Sequence, residues 1–348
     1  MNTQSEYSIQ RGTQKGAISL LIGMAVIIAL ISLPFWGSRS MLGTVVEISL
    51  YLALAQLWNL MAGYAGLVSV GQQAFVGLGG YMLFILTTSA GLNPLLALPA
   101  AGLISALVSI PTAFLVFRLR GSYFAIGTWV VAEVFLLGFS QIEGLGGGSG
   151  KSLPVSVVRG IADNIESREM IIYFTAIAVT LGSIALVYLL LRSKHGLALT
   201  AIRDSEAASE SLGVNIYRTK MWVYIVSAFG TGIVGAMIFL QKLRISPDAA
   251  FNLSDWTANV IFIVVIGGIG NIEGPIIGVL VFFLLREFLA EYGTWYMIIL
   301  GLVAVIMMLK APQGLWGWAK EHFGLELFPI KRHVLIDDEL KNSMSKGD

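Results

Sequence analysis

Residues 192–220 read RSKHGLALTAIRDSEAASESLGVNIYRTK and form the polar interruption between two long apolar halves of the chain. The segment carries five cations, which are Arg192, Lys194, Arg203, Arg218 and Lys220. Lys and Arg accumulate in the loops of membrane proteins that stay in the cytoplasm. The segment therefore predicts a cytoplasmic loop between two sets of membrane-spanning helices.

Composition identifies the class of protein on both sides of this loop. Of 348 residues, 56% are apolar and only 12% are charged, with a mean hydropathy of +0.79, whereas soluble domains carry about 25% charged residues. Uncharged stretches long enough to cross a bilayer recur along the chain, and they lack the alternation of outer-membrane strands. We predict an all-α, polytopic membrane protein. Because the chain has no cysteine, thiolate metal sites and cysteine nucleophiles are excluded. We also expect no cofactor, metal ion or nucleic acid.

Apolar runs predict ten transmembrane helices. They cover residues 17–36, 41–62, 67–88, 94–117, 122–141, 169–191, 221–240, 256–266, 275–290 and 294–309. The predicted division is an N-terminal tail of residues 1–16, a transmembrane domain of residues 17–318 that contains the loop, and a C-terminal tail of residues 319–348. With the N-terminus inside, 15 of the 22 Lys and Arg residues are cytoplasmic and 6 external. This bias predicts that both termini are cytoplasmic.

Two glycine-rich segments interrupt these runs, at residues 63–80 and 267–278. Irregular backbone at membrane depth survives only where protein or a water-filled cavity satisfies its polar groups, so both breaks are candidates for lining a pathway. The alternative is close packing, since Gly270, Gly274 and Gly278 are spaced as in helices whose backbones approach each other. Both interpretations stay open for both breaks.

Pathway candidates come mainly from the first break. They are Gly66, Ser69, Gln72 and Phe75 in that break, and Glu133 in the fifth predicted span. Charged residues inside a membrane usually face a bundle interior or a cavity. Other charges, such as Glu47 and Arg286, lie near the predicted outer ends of their spans, where long side chains reach the interface. So few buried carboxylates indicate that the energy for transport does not come from protons.

A short helix is predicted inside the basic loop, from Asp204 to Gly213. Asp204 or Ser205 caps its start, and Gly213 ends it. A helix of this length is marginal by itself in water, so an apolar surface of Ala201, Ala208 and Leu212 must lie against something. The helix either docks on a cytoplasmic partner or packs on the underside of its own protein.

Six motifs in this order resemble the LivM-type inner-membrane permease subunits of branched-chain amino acid ABC transporters. They are NLMAGYAGLVSVGQQAFVGLGGY (59–81), RGSYFAIGT (120–128), GGSG (147–150), GLALTAIRDSE (196–206), GGIGNIEGPIIG (267–278) and PQGL (312–315). One departure is Gln72, which stands where the family commonly has a histidine. The segment that begins at Glu206 and ends at Gly213 is similar to the short helix that importer permeases present to their ATPase.

The resemblance implies a fold like the type II ABC importer permease bundle in a bacterial cytoplasmic membrane. It implies a LivH-type permease partner, two cytoplasmic ATPases, an external solute-binding protein and no ATP site in this chain. The residues it assigns to ATPase coupling are Ala201, Arg203, Asp204, Glu206, Ala208, Leu212 and Gly213. Two alternatives stay open: the same machine carrying urea or short-chain amides, and a channel or secondary carrier that works without ATPases.

Overall fold

The computed structural model describes residues 7–10, 14–289, 292, 295–311, 313–323 and 333–336. The helices in this part are α1 (Gln14–Ser32), α2 (Arg39–Asn59), α3 (Gln72–Thr88), α4 (Pro94–Val116), α5 (Ser122–Ser140), α6 (Val155–Arg159), α7 (Ile165–Arg192), α8 (Lys194–Asp204), α9 (Glu206–Ser211), α10 (Ile216–Lys242), α11 (Pro247–Ala250), α12 (Asn259–Gly267), α13 (Glu273–Leu289), α14 (Trp295–Lys310) and α15 (Gly314–Phe323). Four short strands accompany them, namely β1 (Tyr7–Gln10), β2 (Lys151–Ser152), β3 (Arg244–Ile245) and β4 (His333–Ile336). The predicted all-α class is confirmed.

The described part of the chain contains fewer candidate spans than the ten predicted. Within the described ranges, six helical segments are long and apolar enough to cross a membrane alone: 39–64, 94–116, 122–140, 165–192, 216–242 and 247–267. A seventh is obtained if residues 298–310 and 314–322, bent by 41°, are one broken span. The predicted span 256–266 also began too late, because its helical segment starts at Pro247.

The glycine breaks explain part of the shortfall. Helix α3 has only 17 residues, which at 1.5 Å per residue is about 25 Å, less than the roughly 30 Å of hydrocarbon in a bilayer. The described part of α13 also has 17 residues. Each of them starts at a break instead of continuing through it. The third predicted span, residues 67–88, therefore included residues 67–71, which are not helical and do not lengthen α3.

Helix α10 is the centre of the bundle and packs against α2, α3, α4 and α7. Its contact with α3 is made backbone to backbone. A methyl group built on Gly79 would lie 2.0 Å from the Gly232 carbonyl oxygen, and one built on Gly235 would lie 2.2 Å from that of Val76. Only glycine permits such an approach, which is the usual packing mode of helices in membranes.

Loops that were predicted to lie on the same side of the membrane contact one another. The Arg39 guanidinium is 3.3 Å from the Glu169 carboxylate, β2 pairs with β3, and the Asn93 side chain donates to the Gly160 carbonyl oxygen. All these segments were predicted external. At the tails, β1 pairs antiparallel with β4, so these two segments lie on one side of the bundle. The relative arrangement agrees with the prediction, and the absolute orientation stays a prediction.

Orientation is testable with reporter fusions. Fusions at Lys194 and Ser345 should report as cytoplasmic, and one at Ser149 as external, because of the Lys and Arg bias. The structure adds a control, since the Arg244 side chain donates to the Ser149 carbonyl oxygen, so a fusion at Arg244 must report the same side as Ser149. A cytoplasmic signal at Ser149 would contradict the predicted topology.

Candidate functional site

The first break begins where α2 loses its regular turn. Residues Leu60–Tyr64 form one π-helical turn, after which residues 66–71 are not helical until α3 starts at Gln72. The Leu67 N–H donates to the Met61 carbonyl oxygen at 2.9 Å and so closes the turn. Gly66 has φ +68°, a left-handed conformation that glycine adopts without strain. π-Turns inside helices often mark functional sites.

The second break separates α12 from α13 and covers residues 268–272. Gly270 has φ +77°, which again requires glycine. Gly278 confirms the packing role predicted for this segment, since a methyl group built on it would lie 1.9 Å from the Ile263 carbonyl oxygen. The second break thus combines a left-handed glycine turn with close packing of α12 on α13.

Buried amide side chains of α2 join the two breaks. The Asn59 Nδ2 donates to the Asn271 carbonyl oxygen at 2.8 Å, and the Gly270 N–H donates to Asn59 Oδ1 at 2.8 Å. The Gln56 Nε2 donates to the Ile272 carbonyl oxygen at 2.6 Å. We call these five residues the break junction. Sequence reasoning treated the breaks separately and missed Gln56; the signal was two amides three residues apart in an apolar helix, which places them on one face.

Three pathway candidates lie inside the packed bundle. Ser69, Gln72 and Phe75 are buried. The Ser69 carbonyl oxygen accepts from Trp58 Nε1 at 2.8 Å, the Gln72 Nε2 donates to the Leu54 carbonyl oxygen at 3.0 Å, and the Phe75 ring packs edge-on against Tyr224. The Gln72 Oε1 is buried without a hydrogen-bond partner among the described residues. This free acceptor could receive an N–H group, and a role in the pathway stays a prediction.

The other two pathway candidates, Gly66 and Glu133, are not buried in the bundle. Gly66 is exposed, and a methyl group built on it would contact nothing within 4 Å. Glu133 is half-buried on α5, where its carboxylate accepts from Trp129 Nε1 at 2.9 Å. No hydrogen bond among the described residues connects Glu133 to the first break. The structure therefore does not bring the five pathway candidates together by polar contacts.

The charges set aside as interfacial form a pair. Arg286 donates from Nη1 and Nη2 to the two carboxylate oxygens of Glu47, both at 2.8 Å, and its guanidinium lies 4.3 Å from the centre of the Phe283 ring. Such a bidentate pair has a defined geometry as well as opposite charges. The prediction that Glu47 and Arg286 simply reach the membrane interface was thus incomplete, because this ion pair links α2 to α13.

The basic loop holds two helices where one was predicted. Helix α8 ends at Asp204, and the Ser205 Oγ accepts from the Ala208 N–H at 3.3 Å and caps α9. Capping by Ser205 is confirmed, and Asp204 as a cap is wrong. Gly213, with φ +83°, follows α9 as predicted. Because the chain is extended at Ser205, Ala201 belongs to α8 and shares no helix with Ala208.

The two helices present apolar side chains outward. Leu212 is 80% exposed and Leu197 on α8 is 75% exposed, while Leu199 and Ile202 of α8 are buried. The segment thus packs on its own protein with one side and leaves the other uncovered. Glu206 pairs with Lys220 within the chain. Leu197 was missed, although an apolar residue in a basic loop was a signal for it.

Arg203 connects this loop with the break junction. Its Nη1 lies 3.4 Å from a methyl group built on Gly270. The Tyr64 hydroxyl, in the π-helical turn of the first break, is buried without a hydrogen-bond partner among the described residues. The Arg203 guanidinium therefore lies close to the backbone of the second break.

Comparison with known families identifies the architecture. Residues 40–309 match the family described as "Branched-chain amino acid transport system / permease component". The chain belongs to this permease family. Both breaks, the break junction, α8 and α9 lie within the matched residues, whereas β1 and β4 lie outside them.

This permease is similar to several curated proteins. It is 29% identical to the high-affinity branched-chain amino acid transport system permease protein LivM of Salmonella typhimurium and 28% identical to that of Escherichia coli, in each case over 93% of this chain and 78% of the relative. It is 22% identical to the probable branched-chain amino acid transport permease protein LivH of Methanocaldococcus jannaschii, over 80% of this chain and 92% of the relative. No solved structure matches.

The first break allows a direct test of the pathway. Gly66→Leu and Ser69→Leu should each reduce uptake while the complex still assembles. Gly66→Leu places a bulky side chain in open space and in a left-handed conformation that costs about 1–2 kcal/mol. Gly66→Asn is the matched control, because asparagine tolerates this conformation, and it should transport better than Gly66→Leu. Normal uptake by both leucine variants would mean that the first break serves only helix packing.

Proposed function

We propose that this chain is the permease subunit of an ABC importer that carries branched-chain amino acids across the cytoplasmic membrane of a bacterium. The observation that carries the proposal is the family match over residues 40–309, which contains both breaks and the basic loop. The similarity to two LivM proteins over 93% of the chain supports the same substrate class. In this proposal residues 17–318 form the permease domain, and the tails 1–16 and 319–348 are cytoplasmic.

The partners follow from the surfaces that the chain leaves uncovered. A LivH-type permease is the proposed second transmembrane subunit, and the similarity of this chain to a LivH protein supports two related subunits. The exposed Leu197 and Leu212 support docking of cytoplasmic ATPases on α8 and α9. A solute-binding protein would deliver the amino acid at the external face. The chain itself would hold no ATP site and no cofactor.

The contacts of Arg203 suggest how ATP hydrolysis acts on the pathway. Closure of the ATPases would move α8 and α9 together, because Ser205 joins them without an intervening loop. The Arg203 guanidinium would carry this movement to Gly270. Since Asn59 ties Gly270 and Asn271 to α2, both breaks would respond together. Alternation of the pathway between outside and inside access would follow.

Reconstitution tests the proposal against its alternatives. The chain would be produced with its permease, ATPase and binding-protein partners, placed in proteoliposomes, and assayed for uptake of labelled leucine, valine and urea. Leucine and valine uptake should require ATP and the binding protein. Uptake that continues without the ATPases would indicate a channel or secondary carrier. ATP-dependent uptake of urea without uptake of leucine would assign the other substrate class.

A further inference from the structure

A cavity of about 210 Å³ opens between the N-terminal part of α2, the N-terminal part of α7 and the end of α10. Its apolar wall is formed by Leu42, Val46 and Ile172. A water molecule needs a cavity of only about 10–15 Å³, so this cavity accepts a group many times larger than water. All three helix ends belong to the side predicted as external.

The rim of this cavity is cationic. Arg39, Arg168 and Glu169 line it, and Arg39 lies 3.3 Å from the Glu169 carboxylate. Arg168 is half-buried and has no ion pair among the described residues. The starts of α2 and α7 add the positive ends of two long helix dipoles. The cavity therefore favours an anionic group that is continuous with an apolar one.

The position along the membrane normal is given by neighbouring aromatic residues. Phe35 and Trp36, directly before α2, are 76% and 66% exposed. Aromatic side chains exposed at the end of a span mark the level of the lipid headgroups. Arg39 follows Trp36 by only three residues, so the cationic rim lies at headgroup level and the apolar wall extends towards the hydrocarbon.

We propose that this cavity binds one anionic phospholipid of the outer leaflet. The lipid phosphate lies between Arg39 and Arg168, and the start of an acyl chain runs along Leu42, Val46 and Ile172. Basic pockets between transmembrane helices are suited to anionic headgroups. The binding would fix α7, which is followed after Ser193 by helix α8 of the basic loop, against α2. It does not depend on which solute is transported.

Two variants test the site by different means. Arg168→Gln removes the cation that has no ion pair among the described residues, which should weaken binding of phosphatidylglycerol about fivefold. Gly43→Leu fills the cavity, since Gly43 lines it and a methyl group built there contacts nothing within 4 Å. The matched controls are Arg159→Gln, an external arginine outside the cavity, and Gly23→Leu, a glycine with equally open space on α1.

The measurement is native mass spectrometry of the purified complex after exchange into micelles that contain either phosphatidylglycerol or phosphatidylcholine. The wild-type complex and both controls should retain phosphatidylglycerol in preference to phosphatidylcholine, and both test variants should lose this preference. Excess inorganic phosphate should leave the lipid bound. Equal retention of the two lipids by the wild type, or unchanged retention by both variants, would overturn the proposal. It would also be overturned if both variants lost affinity for the binding protein at unchanged lipid retention.

Discussion

Leu212→Asp is expected to abolish solute-stimulated ATP hydrolysis by the assembled complex while the permease stays in the membrane. Leu212 is 80% exposed at the end of α9, so within this chain the substitution costs little. An apolar side chain buried at an interface contributes about 1.5–3 kcal/mol. An unpaired carboxylate in its place adds the further cost of removing a charge from water. Leu197→Asp should act in the same direction, because Leu197 is exposed on the same segment.

Glu210→Ala is the matched control for Leu212→Asp. Glu210 is exposed on α9, and an ion pair at the edge of an interface is worth under about 1 kcal/mol, so this variant should be nearly silent. Copurification of the ATPases with each variant separates docking from coupling. If Leu212→Asp kept full ATPase binding and full uptake, α9 would not be the docking element. A carrier or channel without ATPases would then be the better account.

Asn59→Leu should destabilise the permease and stop uptake, because it removes the side chain that joins the two breaks. Asn59 is completely buried and makes two hydrogen bonds to the backbone of Gly270 and Asn271. Leucine leaves the Gly270 N–H and the Asn271 carbonyl oxygen unpaired, at a cost of about 1–3 kcal/mol each. A lower midpoint of thermal unfolding of the purified complex, together with lost uptake, would be the observed result.

Thr44→Val serves as the control for Asn59→Leu. Thr44 lies on the same helix, is exposed, and its hydroxyl donates only to the Ser40 carbonyl oxygen one turn away. Surface changes of this kind usually stay within about 0.5 kcal/mol. An Asn59→Leu complex with the thermal midpoint and uptake of the Thr44→Val complex would mean that water already satisfies the second break.

The sequence determined the class of protein and the places where its helices fail. Apolar runs must be helical in a membrane because no other backbone satisfies its own hydrogen bonds along a single segment. Glycine clusters at residues 63–80 and 267–278 indicated the breaks, since only glycine adopts left-handed or closely approached backbone without strain. The order of the six motifs along the chain was sufficient to indicate the permease family.

Helix lengths next to the two glycine breaks could not be predicted from the sequence. An apolar composition does not show where a helix ends inside an apolar run, so the third predicted span, residues 67–88, included residues 67–71, which are not helical. In the basic loop, α8 and α9 are each shorter than the 12–15 residues that are stable alone. Their boundary at Ser205 therefore depends on a side-chain cap and on packing of Leu199 and Ile202.

Only the tertiary structure decided how the site is assembled. The hydrogen bond between Gly270 and Asn59 joins residues 211 positions apart. Arg203 of the basic loop lies close to the same glycine, with its Nη1 3.4 Å from a methyl group built there. No local pattern encodes such pairs, because each side chain finds its partner only after the helices have packed. Pairing buried amides with backbone groups within the protein then avoids the free-energy cost of burying them without a hydrogen bond.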